Sequence, residues 1–547
     1  MQIRFKYPLL LSAIAVLFFS SCSHKTNTEG RYIPSGASFV VHLNGQSLNA
    51  KLPWEEIKQS ELFKQAYSDS SVSSIARSVL DNPENSGVDV KKDILFFMVK
   101  EGDDGYIVVE GTIKDEAKFK QFNKDVNKNL AVESEKSGLH FSEMPEVTTA
   151  WNKDKFLLLM DGNMKNRYKM NSTEANKKRI PFAESIFNLS EDKSLGEDEK
   201  FSELMRTSGD IHLWINTESL QADNSMPDMG PINMFNLKKV YEDSRVTGTI
   251  NFDNGKINAD FKSYYGKEMT DLIKKYSGDK INADMVKRIP SKDVAALIAF
   301  NFKPEGLKEY LKLLGMDGFA NMGGAQIGFN LDDFIKANKG DILLAVTDIN
   351  MDSLDKPKVS AFFSAAVGDK PSFTKLVEAG KNLAGKAKLD QMEFMPSLFY
   401  NMNDKYFTIG TNKQAVDTYI NTQTNNSFDF FDKISGSAGG AYINFQYIIK
   451  SLGSKVAKDS LNAALYDASL KMWDNLTAAG TGFKDGGSTQ HIEVNLVDKN
   501  TNSLKQLNNF LATFAVIKKK QQEAYRTQAM DRIKMADPSM IPVVPTK

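Results

Sequence analysis

The chain has 547 residues, of which 41% are hydrophobic, 25% charged and 10% aromatic. This composition excludes a wholly disordered or collagen-like chain, and the length predicts about three or four domains, or two large ones. Basic and acidic residues both number 69, so no net charge attracts nucleic acid. The single cysteine excludes an internal disulfide and a cysteine-based metal cluster.

The start of the chain predicts a lipoprotein signal peptide over residues 1–21. A basic beginning precedes the apolar run Pro8–Phe19, which as a helix would span only about 18 Å, too short to cross a bilayer. Two serines and Cys22 follow and resemble the lipobox of bacterial lipoproteins, although Phe19 stands where that motif usually has Leu. The resemblance implies that Cys22 is acylated and holds the protein on a membrane. The alternative is a plain signal peptide with a stray cysteine.

The residues after the signal peptide predict a short tether and a location. Residues 22–30 are mainly polar and suit an acylated, flexible tether. In related bacterial lipoproteins an acidic cluster after the cysteine favours export to the cell surface, and this stretch lacks one. We therefore expect an outer-membrane lipoprotein of the cell envelope that faces the periplasm.

Short sequence segments recur in the same order in two parts of the chain. The sequence Ile33-Pro34-Ser35 before an apolar run recurs as Ile289-Pro290-Ser291, and the run that opens at Asp93 recurs at Asp341. The further matches are Tyr106–Ile113 with Val359–Val367, Thr148–Met160 with Leu398–Gly410, Ile211–Asn216 with Ala441–Phe445, and Gly248–Phe261 with Gly480–Leu496. Internal repetition of this kind predicts two homologous units.

The repeated segments predict the fold class. Asn254-Gly255 and Asp485-Gly486 supply the positive φ angles of tight hairpin turns, and the runs beside them are rich in β-formers. We expect an α+β fold with two tandem units, residues 31–277 and 287–515, each a mainly antiparallel sheet with helices packed mainly on one face. The stretch Gly278–Val286 would join them.

The end of the chain predicts one long helix over Leu504–Met535. Apolar residues such as Leu507 and Phe510 recur at helical spacing in its first half, which should pack on the second unit. Residues 516–547 predict a polar helix end and a loose tail. This exposed end either contacts a partner or is simply a solvated face.

The histidines do not form a recognisable metal motif. They stand at His24, His42, His140, His212 and His491, without HExxH or a helical pair spacing. His42 and His212 occupy strands that look like counterparts within the first unit. Because the matching positions of the second unit are apolar, a packing or surface role is expected for both.

Other motifs fall short of known catalytic or binding patterns. Ser435–Gly439 lacks the first Gly of a nucleophile elbow, and Gly323–Gly328 is neither a P-loop nor a dinucleotide fingerprint. Asp348, Asn350 and Asp352 begin like a calcium loop but lack its Gly and closing Glu. We therefore predict no catalytic, cofactor-binding or metal residue, while a carboxylate pair for glycoside hydrolysis stays open.

Methionine-rich segments are candidates for an adaptable apolar contact surface. They surround Met226, Met229 and Met234, and again Met392, Met395 and Met402. The alternative is that both segments pack as loops on the core.

The lipobox, the opening from Ile33 to Leu48 and the runs after Asp93 and Asp341 resemble an uncharacterised family of envelope lipoproteins, domain-of-unknown-function family 4836. The resemblance implies location and architecture, and it brings no catalytic residues. We expect a non-enzymatic, membrane-anchored binding or scaffolding protein, with an envelope protein or an apolar ligand as partner. The alternatives are a periplasmic hydrolase of carbohydrate or peptide, and a carrier of lipid or another apolar molecule.

Overall fold

The computed structural model describes residues 28–68, 74–101, 104–127, 131–162, 172–222, 237–316, 330–350, 358–386, 397–422, 424–456 and 460–536. Several predicted features lie outside these ranges, namely the signal peptide, Cys22, His24, Gly323–Gly328, Asp352, the end of the tail, and all methionines of the two Met-rich segments except Met402.

The described residues form an α+β structure with one large antiparallel sheet of eighteen strands. The strands of the first half are β1 (Phe39–Leu43), β2 (Ile94–Glu101), β3 (Asp104–Thr112), β4 (Val132–Lys136), β5 (Leu139–Glu143), β6 (Val147–Trp151), β7 (Lys155–Asp161), β8 (Ile211–Asn216), β9 (Arg245–Asp253) and β10 (Lys256–Tyr264). Those of the second half are β11 (Ala296–Asn301), β12 (Asn338–Asn350), β13 (Lys358–Val367), β14 (Phe399–Met402), β15 (Tyr406–Gly410), β16 (Gly439–Asn444), β17 (Trp473–Lys484) and β18 (Gly487–Leu496).

The strand order is continuous across the sheet. It runs β4-β5-β6-β7-β3-β2-β1-β8-β9-β10 through the first half. It continues as β18-β17-β16-β11-β12-β13-β15-β14 through the second half. The two halves meet where β10 pairs with β18, from Lys256 opposite Asn495 to Ser263 opposite Ser488. We call this pairing the central seam.

Helices of four or more residues connect the strands. In the first half they are α1 (Gly45–Lys51), α2 (Trp54–Lys58), α3 (Glu61–Ser68), α4 (Ser74–Asp81), α5 (Glu116–Asn127), α6 (Ser172–Phe187), α7 (Glu199–Arg206), α8 (Thr217–Ala222), α9 (Leu237–Tyr241) and α10 (Lys267–Tyr276). In the second half they are α11 (Ala283–Lys287), α12 (Glu305–Leu313), α13 (Leu331–Ala337), α14 (Lys370–Lys386), α15 (Lys413–Asn421), α16 (Phe431–Ile434), α17 (Phe445–Val456, kinked at Gly453), α18 (Ser460–Met472) and α19 (Ser503–Ala536).

Asparagine residues end several strands and start the following helices. Asn44, directly after β1, accepts a hydrogen bond from the backbone N–H of Ser47 and so caps α1. Asn216 and Asn444 accept from residues three positions later in the same way, at the starts of α8 and α17. The recurring Asn of the sequence is therefore a local signal for the change from strand to helix.

Most of the hydrophobic core lies on one side of the sheet, which we call the core face. In the first half α6 and α7 pack there, and Phe201 meets the ring of Trp214 edge-on at 5.8 Å. In the second half α11, α15 and α16 pack on the same face, where Phe430 stacks on Tyr442 at 3.9 Å. Part of α11 lies in the stretch expected to join the units, yet its Met285 is buried in this second core.

Helices also pack on the opposite face of the sheet, because side chains alternate between the faces along each strand. Phe119 of α5 stacks on Phe156 at 5.2 Å, and Phe373 of α14 contacts Phe407 at 5.3 Å. The expectation of helices mainly on one face thus describes only part of the packing. Among the described helices, none combines the length and the apolar character needed to cross a membrane.

Candidate functional site

A cleft of about 220 Å³ lies over the central strands β9, β10 and β18. Strand alternation places Asp260, Lys262 and Tyr264 of β10 on the same side, so all three line the cleft. His491 of β18 and Glu203 of α7 complete its charged lining. The cleft therefore takes residues from both halves of the sheet.

The charged groups of the cleft are paired with one another. His491 Nδ1 lies 2.8 Å from Asp260 Oδ1, and Lys262 Nζ lies 3.5 Å from Glu203 Oε1. Burial disfavours the charge of Lys262, but its contacts with Tyr264 and Glu203 outweigh burial and raise the pKa of its ammonium group. Both carboxylates that line the cleft thus have a cationic or imidazole partner.

The hydroxyl groups of the cleft can form further hydrogen bonds. Thr247, Thr249 and Thr489 line it beside the charge pairs. Hydroxyls both donate and accept, so these groups can hydrogen-bond to a small molecule whose apolar part contacts the exposed carbon atoms of the lining.

Three of the five histidines lie on one line across the core face. His491 is directly opposite Asp260, Asp260 is opposite Thr249, and Thr249 is opposite His212. His212 is in turn opposite His42. These residues are far apart in sequence, and the pairing register of five strands brings them together. Their spacing in the sequence therefore could not predict that they are neighbours.

His42 and His212 form a buried pair at the end of this line. Their side chains contact each other with Nδ1 to Nδ1 at 2.9 Å, and the two residues are 4% and 3% exposed. His42 Nε2 lies 3.1 Å from Asp93 Oδ2, and His212 Nε2 lies 2.8 Å from the carbonyl oxygen of Thr207, which lines the cleft. The pair therefore connects the start of β2 to the end of α7.

The surroundings of the pair alter the pKa values of His212 and of the neighbouring Asp93. Burial lowers the pKa of His212 and outweighs the carbonyl of Thr207, which favours the charged ring. Burial also disfavours ionised Asp93, but the His42 ring and the backbone N–H of Gly45 outweigh it and lower the pKa of the carboxyl. Asp93 is thus held as a carboxylate beside His42.

Two further carboxylates lie near the pair, and each has its own lysine. Asp210 is 1% exposed and accepts from Lys51 Nζ at 2.6 Å and from the backbone N–H of Phe252 at 2.6 Å. Glu110 is fully buried and accepts from Lys155 Nζ at 2.9 Å. Burial raises the pKa of Glu110 and outweighs the opposing effect of Lys155. His42, His212, Asp210 and Glu110 thus form a cluster of four buried ionisable side chains.

In the second half, a pair of small apolar residues lies between two strands of the same sheet. Ala299 of β11 is directly opposite Gly440 of β16, as His42 is opposite His212. A Cβ atom on Gly440 would come within 2.7 Å of the Cβ atom of Ile434, which is fully buried. Ile434 therefore closes the space beside Gly440.

The remaining sequence candidates do not join this cluster. His140 stacks on Trp151 at 5.4 Å. Ser435 ends α16, and the carbonyl oxygen of Ser437 accepts from the backbone N–H of Ile281 at 2.9 Å, so this serine-rich segment is a structural loop. Asp348 lies within β12 rather than in a loop. In the described part of the chain, no group of three His, Cys, Asp or Glu residues is arranged to hold a metal ion.

A comparison with protein families identifies the family of this chain. A family model described as "Domain of unknown function (DUF4836)" matches residues 30–428. The chain belongs to this family. The DUF4836 match includes His42, His212 and Asp260, whereas His491 of β18 lies beyond it. The resemblance found in the sequence is thus confirmed for the family itself, and no curated protein matches the chain.

Solved structures similar to this DUF4836 member are crystal forms of TP0453. Forms IV, III and I have a TM-score of 0.24 each and are 7%, 8% and 9% identical. They cover 43%, 45% and 44% of this chain, and 79%, 85% and 78% of their own. TM-scores this low do not show a shared fold.

Proposed function

We propose that this protein is a membrane-anchored envelope lipoprotein with two related units, and that it holds a protein partner at the opposite face of its sheet. Acyl chains on Cys22 would supply the anchor, and the polar residues after it the tether. This membrane contact would leave the folded units in the periplasm. The binding is non-enzymatic, in keeping with a sequence in which no complete catalytic motif was recognised.

The strand order supports descent of the two units from one ancestor. Outward from the central seam, β10-β9-β8-β1-β2-β3-β7-β6 in the first half corresponds to β18-β17-β16-β11-β12-β13-β15-β14 in the second. The hairpin β4-β5 extends the first unit at its edge. The long C-terminal helix α19 follows the second unit, and its Phe510 meets Trp473 of β17 at 5.5 Å.

The observation that carries the binding proposal is an exposed apolar surface on the opposite face of both units. Phe96 is 37% exposed and Leu344 is 44% exposed, and each stands three residues after the aspartate of its repeated segment, Asp93 or Asp341. We call the two surfaces the apolar bands. The first band consists of Val41, Phe96, Met98 and Val109, and the second of Ile298, Phe300, Leu344 and Phe363.

An antiparallel sheet whose face meets only water usually carries polar side chains there. Ile298 is 49% exposed and Phe300 is 39% exposed, which leaves costly apolar area in contact with solvent. Burying a fully exposed side chain of this size contributes about 1.5–3 kcal/mol, so covering the part that is still exposed contributes roughly 0.6–1.5 kcal/mol for each. A partner that covers the bands would therefore gain affinity from side chains that add little to the free chain.

The chain itself shows what packs on this face. Phe363 is part of the cluster beneath the amphipathic helix α14, and it is directly opposite the exposed Leu344. In the first unit, α5 covers the neighbouring strands in the same way through Phe119. The bands continue surfaces that already accept helices, so we expect the partner to contribute the apolar stripe of a helix.

Photo-crosslinking in intact cells tests this proposal on the acylated chain. A photoreactive residue at Phe96 or at Leu344 should give the same discrete protein adduct, and Met98→Asp in the same chain should abolish the Phe96 adduct. Val132, which is 66% exposed on β4 outside the bands, is the matched control and should give none. Equal adducts at Val132, or none at either band, would refute the proposal. Lipid that copurifies and is lost in Phe96→Ser would instead identify an apolar carrier.

A further inference from the structure

The floor of the cleft is a grid of side chains on three neighbouring strands, in two rows of three. The rows are Thr249, Asp260 and His491, and Thr247, Lys262 and Thr489. Residues directly opposite each other in an antiparallel pair lie on the same face, so all six project from one side of the sheet. Since β9 and β10 belong to the first half and β18 to the second, the grid lies across the central seam.

Two threonines of the grid keep their hydroxyl groups available although they are buried. Thr247 is 7% exposed and Thr249 is 6% exposed, and both line the cleft. Among the described residues, neither hydroxyl has a hydrogen-bond partner. Each can therefore donate one hydrogen bond to a molecule in the cleft and accept another from it.

The charged side chains offer further hydrogen-bonding atoms. Asp260 uses Oδ1 for its contact with His491 Nδ1 at 2.8 Å, and within the described part of the chain its Oδ2 atom has no hydrogen-bond partner. The ammonium group of Lys262 carries three donors, and its distance of 3.5 Å from Glu203 is longer than an ordinary hydrogen bond. Both groups can thus bind a hydroxyl of a ligand and keep their present neighbours.

The pairing of charges in the cleft favours a neutral ligand. Glu203 lies beside Lys262, and Asp260 lies beside His491, so each carboxylate already has a complementary neighbour. An anion would be repelled by the two carboxylates, and a cation by the ammonium group. Neutral hydroxyls, in contrast, can donate to the carboxylates and accept from the ammonium group in charge-assisted hydrogen bonds.

We propose that the cleft binds one neutral sugar ring across the central seam. A sugar ring carries hydroxyl groups around its edge, which donate and accept, and C–H groups on its faces, which are apolar. The cleft offers hydrogen-bonding groups for the edge, and carbon atoms of side chains such as Leu204 for a face. A space of about 220 Å³ suits one ring rather than a chain of several.

The sugar site is independent of the apolar bands. The cleft lies on the core face, where Glu203 of α7 forms part of its wall, whereas the bands lie on the opposite face of the sheet. The sugar and the protein partner can therefore bind at the same time. A failure to bind sugar would leave the crosslinks expected from Phe96 and Leu344 unaffected.

Titration of sugars into the acylated full chain tests the proposal, in a detergent without a sugar headgroup. The probes are glucose, galactose, mannose and N-acetylglucosamine, each as the free sugar and as its methyl glycoside. The two forms distinguish a monosaccharide from the end of a longer glycan as the source of the ring. Saturation-transfer NMR should show saturable binding of at least one probe. No saturable binding of any probe up to about 50 mM would overturn the proposal.

Variants of the grid and the wall locate the bound sugar. Thr249→Val removes a hydroxyl with little change of shape and should weaken binding about three- to tenfold. Glu203→Gln should weaken it about two- to fivefold, and its side chain is 59% exposed, so this variant should keep the fold. Thr149→Val is the matched control, since Thr149 of β6 is 8% exposed and lies outside the cleft, and binding should not change. Unchanged binding in both cleft variants, or an equal loss in Thr149→Val, would contradict the proposal.

Charged counterparts of glucose test the argument from charge. Glucuronate carries a carboxylate and glucosamine an ammonium group on the same ring. Because the charges of the cleft are already paired, neither should bind more tightly than the best neutral probe. A clear preference for glucuronate would indicate an anion site at Lys262, and a clear preference for glucosamine a cation site at Asp260 and Glu203. Either preference would overturn the assignment of a neutral sugar.

Discussion

Glu493 of β18 accepts a hydrogen bond from Lys256 of β10 at 3.0 Å, so the two halves of the sheet are joined across the central seam by charge as well as by backbone pairing. Lys433 of α16 and Asn495 donate to the same carboxylate. Burial disfavours ionised Glu493, but these donors outweigh it and lower its pKa to about 2.

The Glu493 contacts predict a loss of stability in Glu493→Gln. The neutral amide removes the charge that two lysines share, in a side chain that is 11% exposed. We expect the free energy of unfolding to fall by about 1–3 kcal/mol, measured by urea denaturation. Glu268→Gln is the control, because Glu268 pairs with Lys239 at the surface, and it should change stability by less than about 0.5 kcal/mol. An equal loss of stability in the two variants would contradict the proposal that Glu493 stabilises the central seam.

The same carboxylate predicts an acid-dependent loss of stability. Its folded pKa of about 2 lies below the unfolded value of about 4.3, so its contribution is present above about pH 4.3. That contribution is lost as the pH falls toward about 2. The difference in unfolding free energy between wild type and Glu493→Gln should shrink over this interval, and a constant difference would argue against the ion pair as its cause.

We expect the substitution of alanine for glycine to have different effects on stability at Gly440 and at Gly439. A Cβ atom on Gly440 would lie 2.7 Å from the Cβ of buried Ile434, whereas a Cβ atom on Gly439 meets only Phe300 at 3.6 Å. Gly440→Ala should destabilise the second half by about 1–3 kcal/mol through overpacking. Gly439→Ala should be neutral or slightly stabilising. Unfolding curves of the two variants check this, and a harmless Gly440→Ala would show that Ile434 can move aside.

Cys22 predicts the location of the protein. Cys22→Ser should move the chain from the membrane fraction to the soluble fraction after cell lysis, because the acyl chains supply the membrane affinity. Ser23→Ala leaves the cysteine in place and should remain membrane-bound. Tight association of Cys22→Ser with the membrane would defeat the lipoprotein prediction.

Local signals made much of the fold predictable. Asn254-Gly255 and Asp485-Gly486 lie in the turns that join β9 to β10 and β17 to β18, and Gly255 and Gly486 have φ angles of 68° and 84°. The family was also recognised from short segments, and the match over residues 30–428 confirms it. Such features are encoded within a few neighbouring residues, so the sequence displays them directly.

The candidate site could not be predicted, because it depends on contacts between distant strands. His42 and His212 are 170 residues apart, and Asp260 and His491 are 231 residues apart. Each pair meets only through strand register, which no short motif records. The pairing of β10 with β18 likewise joins the two halves into one sheet, where the sequence had suggested two sheets.

The most direct test of the binding proposal is the size of the complex that the acylated protein forms when it is extracted from membranes in mild detergent. Sedimentation should show the wild-type chain in a complex larger than its monomer. Phe96→Ser combined with Leu344→Ser should sediment as the free chain and remain folded by circular dichroism, since both side chains are partly exposed. Identical sedimentation of the two proteins would contradict a partner bound at the apolar bands.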